Sequence, residues 1–201
     1  MLTEILIPAI PMIYKYGYVA VILCAMLEGA SIPFPGSAVL IIIGFLIYKG
    51  SMNIWLATFL GALFYSLAAI IPYYIGRSLK GNLVEFLVQT LKLSRKRIHK
   101  VEDTFRRYGD ASVCISRPFF FGNYISYLAG MAGIHLVKFF LLTYLGILPW
   151  VGLYLWLGYL FRGNLYRSIA FIEEHSIPEI SVVVFILLVG GMIVFHRIRS
   201  K

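Results

Sequence analysis

The sequence predicts an all-α membrane protein: an inverted repeat of two opposed re-entrant helical hairpins, each followed by a transmembrane helix, with a further transmembrane helix at the C-terminus. Three observations predict it. The 201 residues are 60% hydrophobic and 13% charged, with a mean hydropathy of +0.85, whereas soluble domains are about half apolar and a quarter charged. Two apolar runs are broken internally, at Pro33-Phe34-Pro35-Gly36 and at Arg117-Pro118. The basic residues are bunched: nine of the 18 Lys and Arg lie between Arg77 and Arg107, and Arg197, Arg199 and Lys201 close the chain.

Taken in order, residues 2–14 are apolar but interrupted by Pro8 and Pro11, and read as an interfacial lead-in. The basic n-region and cleavage site of a secretory signal are missing there, so the mature chain is expected to start at Met1. Residues 17–48 form an apolar stretch whose two arms hold roughly a dozen residues each, where a crossing takes about 20. Arms that short suit a re-entrant hairpin. Residues 53–76 are long enough to cross. A polar, basic segment follows at 77–110, partly amphipathic around Leu83, Phe86, Leu87 and Leu91. Residues 111–133 repeat the broken pattern, with Gly122-Asn123 after Arg117-Pro118. Residues 137–160 cross, 163–177 turn polar, and 178–195 make a last crossing. The whole, 1–201, is read as one membrane domain.

Positive charge collects on the cytoplasmic side of membrane proteins and near anionic headgroups. The 77–110 segment and the C-terminal tail are therefore expected in the cytoplasm, against an anionic lipid surface. The first hairpin then enters and leaves from outside and the second from inside. Hairpin plus span occurs once in each orientation, an organisation common among secondary transporters. Nucleic acid is a poor partner for this charge, because both clusters flank apolar spans. A homo-oligomer is compatible with the sequence.

The chemistry concentrates at the breaks. A carboxylate at membrane depth is costly unless it faces a partner or a wet cavity, and broken backbone there has the same requirement. Glu28 precedes the first break and Arg117 marks the second. If the hairpin tips meet, two roles are open. One is an ion pair locking the halves together, which often repays its desolvation poorly. The other is a transport site in which Arg117 binds an anionic group, to which its planar fork is suited, while Glu28 binds a cation or proton. Ser31, Ser37, Ser116, Asn123, Tyr124, Ser126 and Tyr127 cluster at the same breaks and could complete a substrate site. Half-helix N-termini would add positive potential.

Other signals are weaker. Cys24 and Cys114 fall in apolar segments and read as small packing residues. Tyr73-Tyr74-Ile75-Gly76-Arg77 ends a span as an aromatic belt does. Trp150 after Pro149 reads as packing at a kink. No two histidines have metal-ligand spacing, and Glu173-Glu174-His175 reads as a solvated loop. No P-loop, dinucleotide fingerprint or nucleophile elbow is present, so neither an enzyme, a metal nor a cofactor is expected.

In these residues the chain resembles the bacterial DedA family, also called the SNARE-associated or VTT-domain family. Glu28, Pro33, Pro35, Gly36 and Gly44 follow its pattern of an acid, a Pro-x-Pro-Gly and an apolar run ending in Gly. Tyr73, Gly76, Arg77 and Gly81 match its Tyr-x-x-Gly-Arg region, and Phe105 to Gly109, Arg117, Ala129-Gly130, Phe140, Trp150 and Gly158 follow its second half. The likeness covers about residues 15–160. It implies a multi-pass protein of the bacterial plasma membrane that moves lipids between leaflets, undecaprenyl phosphate or phospholipids such as phosphatidylethanolamine, with dependence on the proton motive force attributed to some members.

Three departures bear on the substrate. Many members have a second acid after Pro-x-Pro-Gly, where this chain has Ser37. Many have a second Arg about six residues after the first, which is missing here. An Asp common before the Tyr-x-x-Gly-Arg region has no counterpart, because residues 53–76 contain no acid. A phosphate monoester, nearly a dianion, would be matched best by two arginines. One Arg and one Glu instead complement a zwitterion, so a flippase or scramblase for phosphatidylethanolamine is expected first and an undecaprenyl phosphate translocase second.

Overall fold

The structure, a computed structural model, describes residues 11, 15–32, 35–50, 52–79, 103, 105, 108–117 and 124–161. Most of the lead-in, most of the basic 77–110 segment and the expected 178–195 span lie outside these residues, as does Asn123. Among the described residues the regular structure is all helix. The elements are α1 (Tyr18–Gly29), α2 (Gly36–Tyr48), α3 (Ile54–Ala68), α4 (Ile70–Leu79), a 3-10 turn at Gly109–Ala111, then α5 (Ser112–Ile115), α6 (Ile125–Met131) and α7 (Leu136–Leu160).

The breaks fall where backbone chemistry requires them. Pro35 stands at the N-cap of α2, where a missing N–H costs nothing. Helix α1 ends in a pair of bonds, Ser31 N–H to the Glu28 carbonyl at 3.0 Å and Ile32 N–H to the Leu27 carbonyl at 3.1 Å. That is a Schellman end, which needs one residue in the left-handed region. Gly133 fills the same place after α6, with φ of 74°. After α1 the place is taken by Ser31, at φ of 64°, which a side chain ordinarily disfavours. Helices α3 and α4 are one apolar run, Ile54–Leu79, interrupted at Ala69. The cause is Pro72, whose ring nitrogen cannot donate to the Ala68 carbonyl.

This run and α7 are each long and apolar enough to cross a membrane, at 26 and 25 residues. Helices α1 and α2, at 12 and 13 residues, are shorter than the roughly 20 that a crossing takes. The burial pattern is that of a protein in lipid. Val137, Leu141 and Leu145 form an exposed stripe four residues apart on α7, and Trp55 on α3 is 80% exposed. The opposite face of α7 buries Phe139, Thr143, Gly146, Trp150, Tyr154 and Gly158. Helix α2 is enclosed from Gly36 to Ile47.

Packing exchanges arms between the two halves. Helix α1 lies on α3 of its own half, whereas α2 lies on α7 of the other. Likewise α5 lies on α7 of its own half, whereas α6 lies on α4 of the other. Glycines make both exchanges possible, and in one register. A Cβ on Gly44 would strike the Leu155 carbonyl, and one on Gly158 the Ile41 carbonyl. A Cβ on Gly130 would strike the Tyr73 carbonyl, and one on Gly76 the Tyr127 carbonyl. In every case the obstructing carbonyl lies three residues before the partner glycine. The second junction is also tied by the Tyr73 hydroxyl, which donates to the Ile134 carbonyl and accepts from Arg77 Nη1.

Asn53 starts α3 by accepting from the N–H groups of Trp55 at 2.9 Å and Leu56 at 3.2 Å. Its own N–H donates to the Tyr18 hydroxyl at 2.8 Å, tying the starts of α1 and α3. Loss of such a cap costs about 1 kcal/mol. Asn53→Ala is therefore expected to lower the melting temperature in detergent while leaving the helix content intact. An unchanged melting curve would contradict a stabilising role for the cap.

Candidate functional site

Arg117 follows the short helix α5 and turns inward, leaving its side chain only 4% exposed. Its Nη2 donates to Thr143 Oγ1 at 2.7 Å and to Ser126 Oγ at 3.1 Å, and its Nη1 to the Tyr65 hydroxyl at 3.4 Å. The guanidinium lies 5.6 Å from the Tyr65 ring centre and 5.7 Å from that of Phe139, within cation–π range. Four elements thus converge on one cation: the segment after α5, then α3, α6 and α7. Gly146 makes room for it, because a side chain there would meet the Cys114 carbonyl and the Arg117 stem.

Ser126 and Thr143 are both fully buried. Each accepts from Arg117, and among the described residues neither hydroxyl donates onward. Ser116, also buried, has an Oγ without a hydrogen-bond partner among the described residues. A buried hydroxyl proton with no acceptor is costly. An anion at the guanidinium would supply that acceptor.

Glu28 stands at the end of α1, beside Gly29, which packs on the Tyr65 backbone. Its carboxylate folds back over Gly36 in the first turn of α2, where any Cβ would collide with it. The positive end of a helix supports a carboxylate there. This gives a physical reason for the glycine of Pro-x-Pro-Gly. Cys24, one turn earlier, points its thiol at the Gly36 carbonyl at 3.7 Å, and both cysteines are free, Cys24 buried as expected and Cys114 partly so. Tyr65 interacts electrostatically with both Glu28 and Arg117.

The sequence-predicted residues divide as follows. Arg117 and Ser126 meet directly. Ser31 and Tyr127 interact through their side chains, which joins the end of α1 to α6. Ser37 is buried in the first turn of α2 next to Gly36, and Tyr124 caps α6, partly exposed. The direct ion pair considered for Glu28 and Arg117 is not formed. The phenol of Tyr65 takes a bond from the guanidinium instead.

Two hydroxyl-bearing residues of this cluster were not among the candidates, Tyr65 and Thr143. Each is a hydroxyl within a predicted span, and that was the available signal. It was weak, because a Tyr or Thr in a membrane helix is affordable without any ligand. Among the described residues no group of three His, Cys, Asp or Glu could hold a metal ion.

Comparison with known proteins places these features in a family. The VTT domain model matches residues 34–160. A Lactococcus lactis subsp. cremoris protein named alkaline phosphatase-like protein is 29% identical over 196 residues, covering 92% of this chain and 89% of its own. Undecaprenyl phosphate transporter A of Bacillus subtilis is 30% identical over 144 residues, covering 71% of this chain and 70% of its own. An uncharacterized membrane protein of Synechocystis sp. is 27% identical over 200 residues, covering 93% and 86%. No solved structure matches.

Proposed function

The chain belongs to the VTT-domain family of membrane proteins, and from that premise we propose that it moves a phosphate-bearing lipid between the leaflets of the bacterial plasma membrane. The observation that carries this reading is the buried Arg117 guanidinium gathered by Ser126 and Thr143, whose own protons await an acceptor. A phosphate oxygen placed there would take charge-assisted bonds from the guanidinium and ordinary ones from the hydroxyls. Glu28, at the end of α1, would take a headgroup ammonium. Phosphatidylethanolamine is the lipid that fits both ends.

In this reading α1–α2 and α5–α6 are re-entrant hairpins of an inverted repeat, with the 77–110 segment and the C-terminus cytoplasmic. The matched registers at Gly44 with Gly158 and at Gly130 with Gly76 support the repeat. The headgroup passes between the halves while the acyl chains stay in lipid, and the halves rock for alternating access. Transport runs downhill or is coupled to an ion.

A second reading has one observation in its favour: a relative named undecaprenyl phosphate transporter A. Its substrate is a phosphate monoester without an ammonium, and the two readings give Glu28 opposite roles. The test is purified protein in vesicles carrying a leaflet-labelled aminophospholipid or a polyprenyl phosphate. Movement of the aminophospholipid is expected, slowed on the order of tenfold by Glu28→Gln, the value of one charge-assisted bond. Movement of the polyprenyl phosphate alone, undiminished by Glu28→Gln, would establish the second reading. Phosphate release without lipid movement would make the protein an enzyme and overturn both.

A further inference from the structure

Phe139 meets Arg117 through a ring rather than a hydroxyl, and that ring begins a row of contacts leading to the surface. It is fully buried on α7, and its centre lies 5.7 Å from the guanidinium carbon. Thr143 follows one helical turn later and Gly146 three residues after that, spacings that share a helix face. One face of α7 thus supplies the ring, the hydroxyl bonded at 2.7 Å and the space for the Arg117 stem. The ring of Tyr73, also fully buried, is stacked on that of Phe139, with centres 4.8 Å apart and planes 27° from parallel. The far end of Tyr73 is pinned, since its hydroxyl donates to the Ile134 carbonyl and accepts from Arg77 Nη1 at 3.2 Å. Its backbone is pinned too, because the Tyr73 carbonyl fills the space that a side chain on Gly130 would need.

A ring attracts a guanidinium through its quadrupole and takes no N–H donor. The hydroxyls of Ser126, Thr143 and Tyr65 do take donors, and a phosphate at the site would draw on the same N–H groups. Bonds to hydroxyls can be exchanged for bonds to such a ligand, whereas the ring contact need not be given up. We propose that Phe139 is a positioning residue for Arg117, holding the guanidinium in place while a headgroup phosphate binds, and that Tyr73 fixes the ring of Phe139. The role in lipid binding rests on the transport reading above; the hold on Arg117 does not.

The row of contacts ends at Arg77, exposed near the end of α4. Two arginines, one buried and one at the surface, are thereby joined through two rings. Phe140, which the family pattern singles out, has other company: it is partly exposed, and its ring stacks on Tyr144 at 6.5 Å. Successive positions on a helix do not share a face, which makes Phe140 the control for Phe139.

The test has two parts. The first replaces Phe139 in the full-length protein by mono-, di- and trifluorophenylalanine. Fluorine drains the quadrupole of a ring with little change of shape, so a residue that only packs is indifferent to it. In lipid-free detergent each added fluorine is expected to lower the melting temperature, and the whole series to shift the folding equilibrium about tenfold. The trend is expected to vanish in Arg117→Gln, to flatten in Tyr73→Leu, which lacks the stacked ring, and to flatten in part in Tyr73→Phe. The same series at Phe140 is expected to show no trend. No trend at Phe139 would overturn the positioning role, even if Arg117→Gln did not fold, and so would an equal trend in Arg117→Gln or at Phe140. A full trend in the Tyr73 variants would overturn the part given to Tyr73.

The second part measures binding of phosphatidylethanolamine to the same proteins. Affinity is expected to fall with each fluorine at Phe139, by about tenfold over the series. Affinity that falls in Arg117→Gln yet ignores fluorine would overturn the positioning of Arg117 for the lipid. Affinity that ignores both, with the expected melting trend, would remove the transport reading and leave the hold on Arg117 standing.

Discussion

Gly158→Val is expected to remove most folded protein from the membrane, and Gly44→Val to do the same. At this crossing α2 and α7 touch backbone to backbone. A Cβ on Gly158 would meet the Ile41 carbonyl carbon at 2.8 Å and the Gly44 Cα at 3.0 Å. Overpacking a tight core costs roughly 1–3 kcal/mol when side chains can give way. Here the obstacles are main-chain atoms, which no rotamer change moves, so the loss should lie at or above that range. Close approach through small residues is also the usual means by which membrane helices associate. Gly152→Ala is the control, since its Cβ would meet only the Thr58 side chain, at 3.2 Å. Yield and monodispersity of a fluorescent fusion in mild detergent measure both. A Gly158→Val protein that extracts and melts like wild type would show that the crossing can open.

Arg117→Ala is expected to reduce lipid movement to the rate of protein-free vesicles while the chain still inserts. The substitution removes the guanidinium and leaves Tyr65, Ser126 and Thr143 facing a void, three hydroxyls whose shared donor is gone. Bonds to a charged group are worth roughly 1.5–3 kcal/mol each, so loss of even one bond to a phosphate lowers affinity on the order of 10- to 100-fold. Arg117→Lys is expected to recover little. A lysine keeps the charge but has no planar fork with which to reach three hydroxyls and a ligand together. Flux in vesicles, with melting as the check on folding, distinguishes a lost site from a lost fold. Near-normal flux for Arg117→Ala would remove Arg117 from the transport path.

What could be read from the sequence was whatever is expensive in lipid. Glu28, Arg117 and the proline breaks stand out because apolar surroundings tolerate them poorly, and the structure buries Arg117 among hydroxyls. The short arms could also be read, and α1 and α2 have 12 and 13 residues. Thr143 and Tyr65 could not, because a hydroxyl in a span is cheap and its role depends on what lies across from it. The missing ion pair could not be read either. Complementary charges at two breaks suggest contact, whereas the carboxylate of Glu28 folds over Gly36 and the guanidinium of Arg117 bonds Ser126, Thr143 and Tyr65. The glycines at 44, 76, 130 and 158 could be counted, yet their pairing belongs to helices far apart in the chain.

The exchanged arms have a consequence for how the chain comes to be a protein at all. Helix α2 emerges early in synthesis but finds its bed, α7, only after some hundred residues more have followed, and α6 in turn lies on α4 from the earlier half. Neither half owns a complete set of neighbours. A ribosome that stopped after the first half would leave α2, apolar along its whole length, with its glycine face bare. The contacts of α2 and of α6 can therefore be completed only once both halves of the chain have been made.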